Sequence, residues 1–228
     1  MNHWICTLGA RSFLSIVLSI GVGLTVSVSP ANAQDSLTVE QLAKGRADLV
    51  KLLKASHRAE LEQMKSIMPG DNIENATLGE PYAFYRLETD KVRSLRDYSL
   101  FKECLTFIWW DMPVSFGGEA RALLGLSKTD EGWQLAHYGK DPTDIEQARS
   151  RWPKSEGYKL SYVMQVMGPG FIMVEKGSNI WLCPLMERDE GLLNVTKDSS
   201  GHYPLLTIPY VVKKLQARPE THFDPKVE

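Results

Sequence analysis

The sequence predicts an α+β fold: a long N-terminal amphipathic helix followed by two duplicated antiparallel sheet-plus-helix units. Three observations carry this expectation. Leu42, Leu49, Leu53, Met64 and Ile67 recur near multiples of 3.6 residues, with Lys, Arg and Glu between them. Beyond Gly79, short apolar runs rich in aromatic and β-branched residues alternate with Gly-containing turns. Several short blocks also return in the same order, two of them shifted by 69 residues.

Ahead of the fold, residues 1–33 read as a cleaved signal peptide. Arg11 is the only charge before Asp35, Phe13 to Val28 is uncharged and apolar, and Ala31-Asn32-Ala33 sets small residues where a signal peptidase reads. The 16 uncharged residues fall short of the ~20 that span a bilayer, so no membrane span is expected after processing. Neither a lipid-anchor Cys nor a twin-arginine pair follows the pattern. The expected location is periplasmic or extracellular, after cleavage near Ala33.

The first element of the mature chain, within residues 34–79, is a helix over 38–67 and its loop. Thr38 and Gln41 have capping-box spacing, Gly45 weakens the early turns, and Pro69-Gly70 stops the helix. The first β-rich unit spans 80–152. Tyr82 to Glu88 leads it, followed by strands at Leu105 to Trp110, Ala120 to Leu126 and Trp133 to Tyr138, and a helix at Thr143 to Arg151. The second unit spans 153–218, with strands at Phe171 to Val174, Ile180 to Cys183, Gly191 to Val195 and Leu205 to Ile208, and a helix at Tyr210 to Ala217.

Pro113 and Pro184 are read as strand-end residues, and Pro142 and Pro209 as helix starts, where a missing N–H does no harm. Ser150 to Gly157 is the joint between the units, and 219–228 is a flexible tail with two prolines. A single continuous sheet curled around the N-terminal helix is the competing arrangement.

The duplication rests on three echoes. Leu124-Gly-Leu-Ser-Lys128 with Gly132 resembles Leu193-Asn-Val-Thr-Lys197 with Gly201, and Gln147-Ala148-Arg149 resembles Gln216-Ala217-Arg218. Upstream, Trp110 to Val114 resembles Trp181 to Leu185.

Charge and composition exclude some functions. The full chain carries 26 basic and 28 acidic residues, a mildly acidic balance that gives no nucleic-acid footprint. After loss of Cys6 two cysteines remain, Cys104 and Cys183. In an oxidising compartment they are a candidate disulfide; as members of apolar stretches they are equally read as two buried thiols.

His57, His137, His202 and His222 lack metal-ligand spacing, no C-x-x-C or G-x-S-x-G is present, and no Gly loop cradles a phosphate, so no metal or cofactor is expected. Two catalytic constellations remain to be weighed: Cys104 or Cys183 with His137, and a carboxylate pair drawn from Asp111, Glu119 and Asp130.

The aromatic residues remain. Adjacent strand residues point to opposite faces, so Trp109 and Trp110 cannot both face inward. Trp109, Trp110, Trp133 and Trp181 are the candidate partner surface. The expected function is an exported non-enzymatic module that binds a protein or peptide partner through a sheet edge or an inter-unit cleft. The alternative is a periplasmic or secreted hydrolase whose site is assembled from dispersed residues.

Overall fold

A computed structural model describes residues 37–166 and 168–218; the signal peptide expected over 1–33 and the tail expected over 219–228 lie outside the described residues. The chain is α+β, with helices packed on a large mixed sheet of nine strands.

Thr38 opens helix α1 (Val39–Ala55): its hydroxyl accepts from the Gln41 N–H at 3.2 Å, and Gln41 Oε1 accepts from the Thr38 N–H at 2.7 Å. The helix expected as one span over 38–67 is divided. Ser56 takes an extended conformation (φ −83°, ψ 151°) and its hydroxyl bonds the Leu52 carbonyl, after which α2 (Arg58–Gln63) restarts the helical path. Gly45 has a packing role the sequence reading missed: a Cβ there would stand 2.9 Å from Leu126 Cδ1, so the missing side chain lets α1 lie close to the sheet.

The strands, in chain order, are β1 (Thr77–Leu78), β2 (Tyr82–Leu87), β3 (Leu105–Phe116), β4 (Glu119–Thr129), β5 (Gly132–Lys140), β6 (Tyr158–Gln165), β7 (Gly170–Lys176), β8 (Asn179–Pro184) and β9 (Leu206–Thr207). Four further helices are α3 (Thr89–Ser94), α4 (Thr143–Arg151), α5 (Glu190–Leu193) and α6 (Ile208–Gln216). The sheet order is β5-β4-β3-β2-β6-β7-β8-β9, with β1 pairing β3.

Every pairing is antiparallel except β2 with β6, which run parallel at the centre. The two segments expected as separate antiparallel units therefore share one sheet. Their leading strands can pair in parallel because β3 to β5 and α4 supply the long crossover that a parallel pair requires.

Alternation of side chains sorts the helices onto two faces. On one face α1 covers Met112, Val114, Leu124 and Leu126, while α6 covers Val163, Phe171, Met173 and Leu182. On the other face α4 buries Ile145 and Ala148 with Leu123, Tyr162, Ile172 and Val174.

Two expectations need correction. The segment 191–195 is not a strand: Leu193 ends the short helix α5, and Asn194 terminates it in the left-handed region (φ 52°, ψ 52°), a conformation Asn tolerates better than most residues. Pro113 is not at a strand end but inside β3, a central strand. It is accommodated where β1 has ended and β2 has not begun. The Gly79 N–H donates to the Pro113 carbonyl at 2.7 Å, so the edge of Pro113 that lacks an N–H faces this gap in the ladder.

Candidate functional site

Two constellations are built by irregularities in strand register. The first lies on the face shared by α1 and α6. Between Phe84 and Tyr85 the β2–β3 register slips by one residue, so Tyr85 opposes Phe107 while Phe84 opposes Trp109. The extra residue, Ile108, lets Phe107 and Trp110 stand on one face although three positions separate them.

An aromatic strip results. Tyr85 meets Phe107 edge-on at 6.0 Å, Phe107 lies 5.5 Å from Trp110, and Trp133 of β5 meets Phe107 at 6.3 Å. All four rings are half-buried. The strip lies between two anchored flanks. Lys44 Nζ donates to the Trp133 carbonyl (3.1 Å) from α1, and Gln216 Nε2 donates to the carbonyls of Val92 (3.0 Å) and Leu95 (2.9 Å) from α6. Along its outer side β5 pairs with no strand among the described residues.

The second constellation is on the opposite face, beside α4. Asp111, Gly125 and His137 stand directly opposite one another across β3, β4 and β5. A Cβ on Gly125 would fall 2.2 Å from His137 Cδ2, so the imidazole lies across the bare glycine. His137 Nε2 thereby reaches Asp111 Oδ1 at 2.6 Å.

Asp111 is wholly buried, and its Oδ2 has no partner, as have the hydroxyls of Tyr82 and Tyr162 and the indole nitrogen of Trp109. A second bulge, at Gly139 (φ +113°), brings Lys140 onto the face of His137. Although the residue is exposed, the Lys140 ammonium lies 4.0 Å from the Tyr162 ring centre and 5.4 Å from that of Phe84.

The environment shifts several groups. Desolvation lowers the Lys140 pKa, while the charges of Asp111 and Asp144 act in the opposite sense. Burial raises Asp144, helped by Asp141 and opposed by Lys140. Burial also raises Tyr162 strongly, with Asp111 and Asp144 adding to it.

The candidate residues named from sequence divide among these places. Trp110 and Trp133 both belong to the strip, each against Phe107. Trp109 is on the other face, stacked on Phe84 at 4.5 Å and edge-on to His137 at 5.2 Å. Trp181, in β8, is distant from the strip and packs with Cys183 and Val174.

Cys104 and Cys183, the candidate disulfide, are both free thiols in the structure, in core clusters on opposite faces of the sheet. Neither is joined to His137, whose Nε2 is taken by Asp111. Burial raises Cys104 and pushes Cys183 up to about 11, the reverse of what a thiolate nucleophile needs.

Glu119 opens β4 and Asp130 follows its far end, roughly 35 Å away at strand rise, and Glu119 pairs with Arg121. Glu119 and Asp130, weighed as members of a carboxylate pair, are therefore not brought together, and Asp111 bonds His137 instead. Gly125, Lys140 and Tyr162 are not legible as site residues in the sequence, because only the bulges and register place them on the face of Asp111 and His137.

A cavity of about 110 Å³ adjoins this side, lined by Asp144, Arg151, Cys183, Lys197, His202 and Tyr203 among others. No group of three metal-ligating side chains occurs among the described residues, and no helix there is long and apolar enough to cross a membrane. No family model, no curated protein and no solved structure matches the chain.

Proposed function

We propose that this is an exported module that holds an extended protein or peptide partner against the aromatic strip and along the free edge of β5. The carrying observation is the half-exposed run Tyr85–Phe107–Trp110–Trp133 beside an edge strand of nine residues. An added strand would gain main-chain hydrogen bonds from β5 and set alternate side chains on the rings. Rigid aromatic side chains suit that role because they offer large contact area with few rotamers to immobilise.

The test is binding to an array of immobilised unstructured peptides. Trp133→Ala and Trp110→Ala should each weaken peptide binding by about tenfold, the scale of an interface anchor. Equal binding by wild type and both variants would defeat the proposal.

The reading includes export. The intact mass of the exported chain is expected to correspond to a start at Gln34; a retained N-terminus would overturn that part.

The mirrored strand order supports a duplicated origin. Each half is four consecutive strands in the order of the chain followed by a helix, β2 to β5 with α4 and β6 to β9 with α6. Parallel pairing of corresponding leading strands implies a pseudo-twofold axis along them, which exchanges the faces of the sheet. The placement of α4 and α6 on opposite faces agrees with this. The Leu193–Lys197 echo does not contribute, being helical and loop where Leu124–Lys128 is strand.

A second reading, a hydrolase with a dispersed site, is favoured by one observation: the hydrogen-bonded pair of a buried Asp111 and a half-exposed His137.

A further inference from the structure

We infer that His137 is a general base for hydrolysis of carboxylic esters with a small apolar acyl group, with Asp111 as its positioning residue; the inference rests on the hydrolytic reading. The pair is built into the sheet rather than met by chance on a surface. Three strands in register and an absent side chain at Gly125 are needed for a ring on β5 to reach a carboxylate on β3.

With Asp111 as a carboxylate, which only accepts, the proton of this bond would belong to His137 Nε2, and the lone pair of a neutral ring would then be on Nδ1. Nδ1 makes no hydrogen bond among the described residues, and the imidazole side chain is 26% exposed while Asp111 is 0% exposed. One nitrogen is thus oriented from inside the fold, and the other is left without a partner among the described residues on a partly exposed ring. This is the division of roles a carboxylate–imidazole base requires.

The surroundings define the substrate class. The half-buried ring of Trp109 stands edge-on to the imidazole, and Phe84 stacks on Trp109 beyond it, so the two rings offer an apolar seat for an acyl group. Lys140, brought to this face by the bulge at Gly139, supplies a positive charge for an oxyanion.

In the reaction, a water oxygen attacks the ester carbonyl carbon while Nδ1 takes a proton from that water. The carbonyl π pair moves onto its oxygen, giving a tetrahedral oxyanion whose charge the Lys140 ammonium offsets. When the carbonyl re-forms, the bond to the alkoxy oxygen breaks and the leaving alcohol takes the proton from Nδ1. Ester and water become carboxylic acid and alcohol, and His137 returns neutral.

The experiment is steady-state hydrolysis of p-nitrophenyl butyrate and p-nitrophenyl acetate by the full chain, with thermal melts to verify folding. Wild type should turn over both. His137→Gln should lower kcat/KM by about 100-fold, the lower end of what a positioned base contributes. Lys140→Met, at an exposed residue, should lower kcat by about tenfold as the oxyanion loses its counter-charge. Asp111→Asn should lower kcat and leave KM within about twofold, a split that general loosening of the site would not produce.

If Asp111→Asn does not fold, imidazole nitrogen chemical shifts of the wild type decide its role: a protonated Nε2 supports it and the opposite tautomer overturns it. Equal turnover by wild type and a folded His137→Gln would overturn the role of His137 and leave the hydrolytic reading standing. No turnover of either ester by wild type would overturn both.

Discussion

Gly125 decides whether the imidazole of His137 can cross β4, and that single hydrogen atom in place of a methyl has a measurable consequence. Gly125→Ala would put a carbon 2.2 Å from His137 Cδ2, with the His137 ring held between Asp111 and Trp109. We expect the substitution to displace the ring, break the bond to Asp111 and cost about 1–3 kcal/mol, as overpacking does. Chemical denaturation should register the loss, and an unchanged midpoint with unchanged imidazole shifts would refute it.

Tyr82 makes a second case at this scale. Burial raises its pKa from 10.0 to about 12, with Arg149 opposing and Glu146 and Glu80 assisting. The folded state therefore favours the neutral phenol. The stability tied to that preference is complete below pH 10 and is lost as pH rises from there through about 12. Tyr82→Phe removes the ionisation and also an unpartnered buried hydroxyl. Its neutral-pH stability should be little changed, and its decline over that alkaline window should be shallower than in wild type. Parallel declines in the two proteins, followed by denaturation at stepped pH, would contradict this. The sequence offered no sign of either residue's role, since a glycine and a tyrosine in strands are ordinary until their cross-strand partners are known.

Among the elements, α1 is the one whose stabilising features are most local. Its capping box is Thr38 and Gln41, and the buried stripe Gly45, Leu49 and Leu53 falls at helical spacing. Thr38→Ala should cost about 1 kcal/mol through the lost cap, whereas Leu49→Ala, at a wholly buried position, should cost roughly 2–5 kcal/mol. Equal effects in thermal unfolding would mean that α1 is held by its ends rather than by its packing.

The strands were less legible. Their apolar content placed β2 to β5 near their observed positions. The extra residues Ile108, Ala136 and Gly139 were invisible, although they determine which side chains share a face. A bulge is a mismatch between two strands, and one strand's sequence does not contain the other's register. The burial of Pro113 inside β3 has the same origin, being tolerated because of the gap in the ladder that lies beside it in space.

At the scale of the whole molecule, the parallel pairing of β2 with β6 joins both halves into one sheet and separates Cys104 from Cys183 by that sheet. Both thiols are buried and held above the ordinary thiol range by desolvation. We expect neither to react with a thiol reagent in the native protein, and both to react once denaturant is added. Native reactivity, or a mobility change on non-reducing gels, would show that the thiols are more accessible or closer than the fold places them.

What the sequence determined by itself is local: the apolar periodicity of α1, its cap, the strand-forming runs, the turns at glycine, and the balance of charge. These follow from forces acting over a few residues, chiefly backbone propensity and the need to turn one apolar face inward. Only the tertiary structure decided that Trp110 and Trp133 both meet Phe107 while Trp109 and Trp181 stand elsewhere, and that Asp111 finds His137 across Gly125. Those neighbours depend on register and on strand order. Register and order are fixed by how two buried faces pack together, a property of no single segment of the chain.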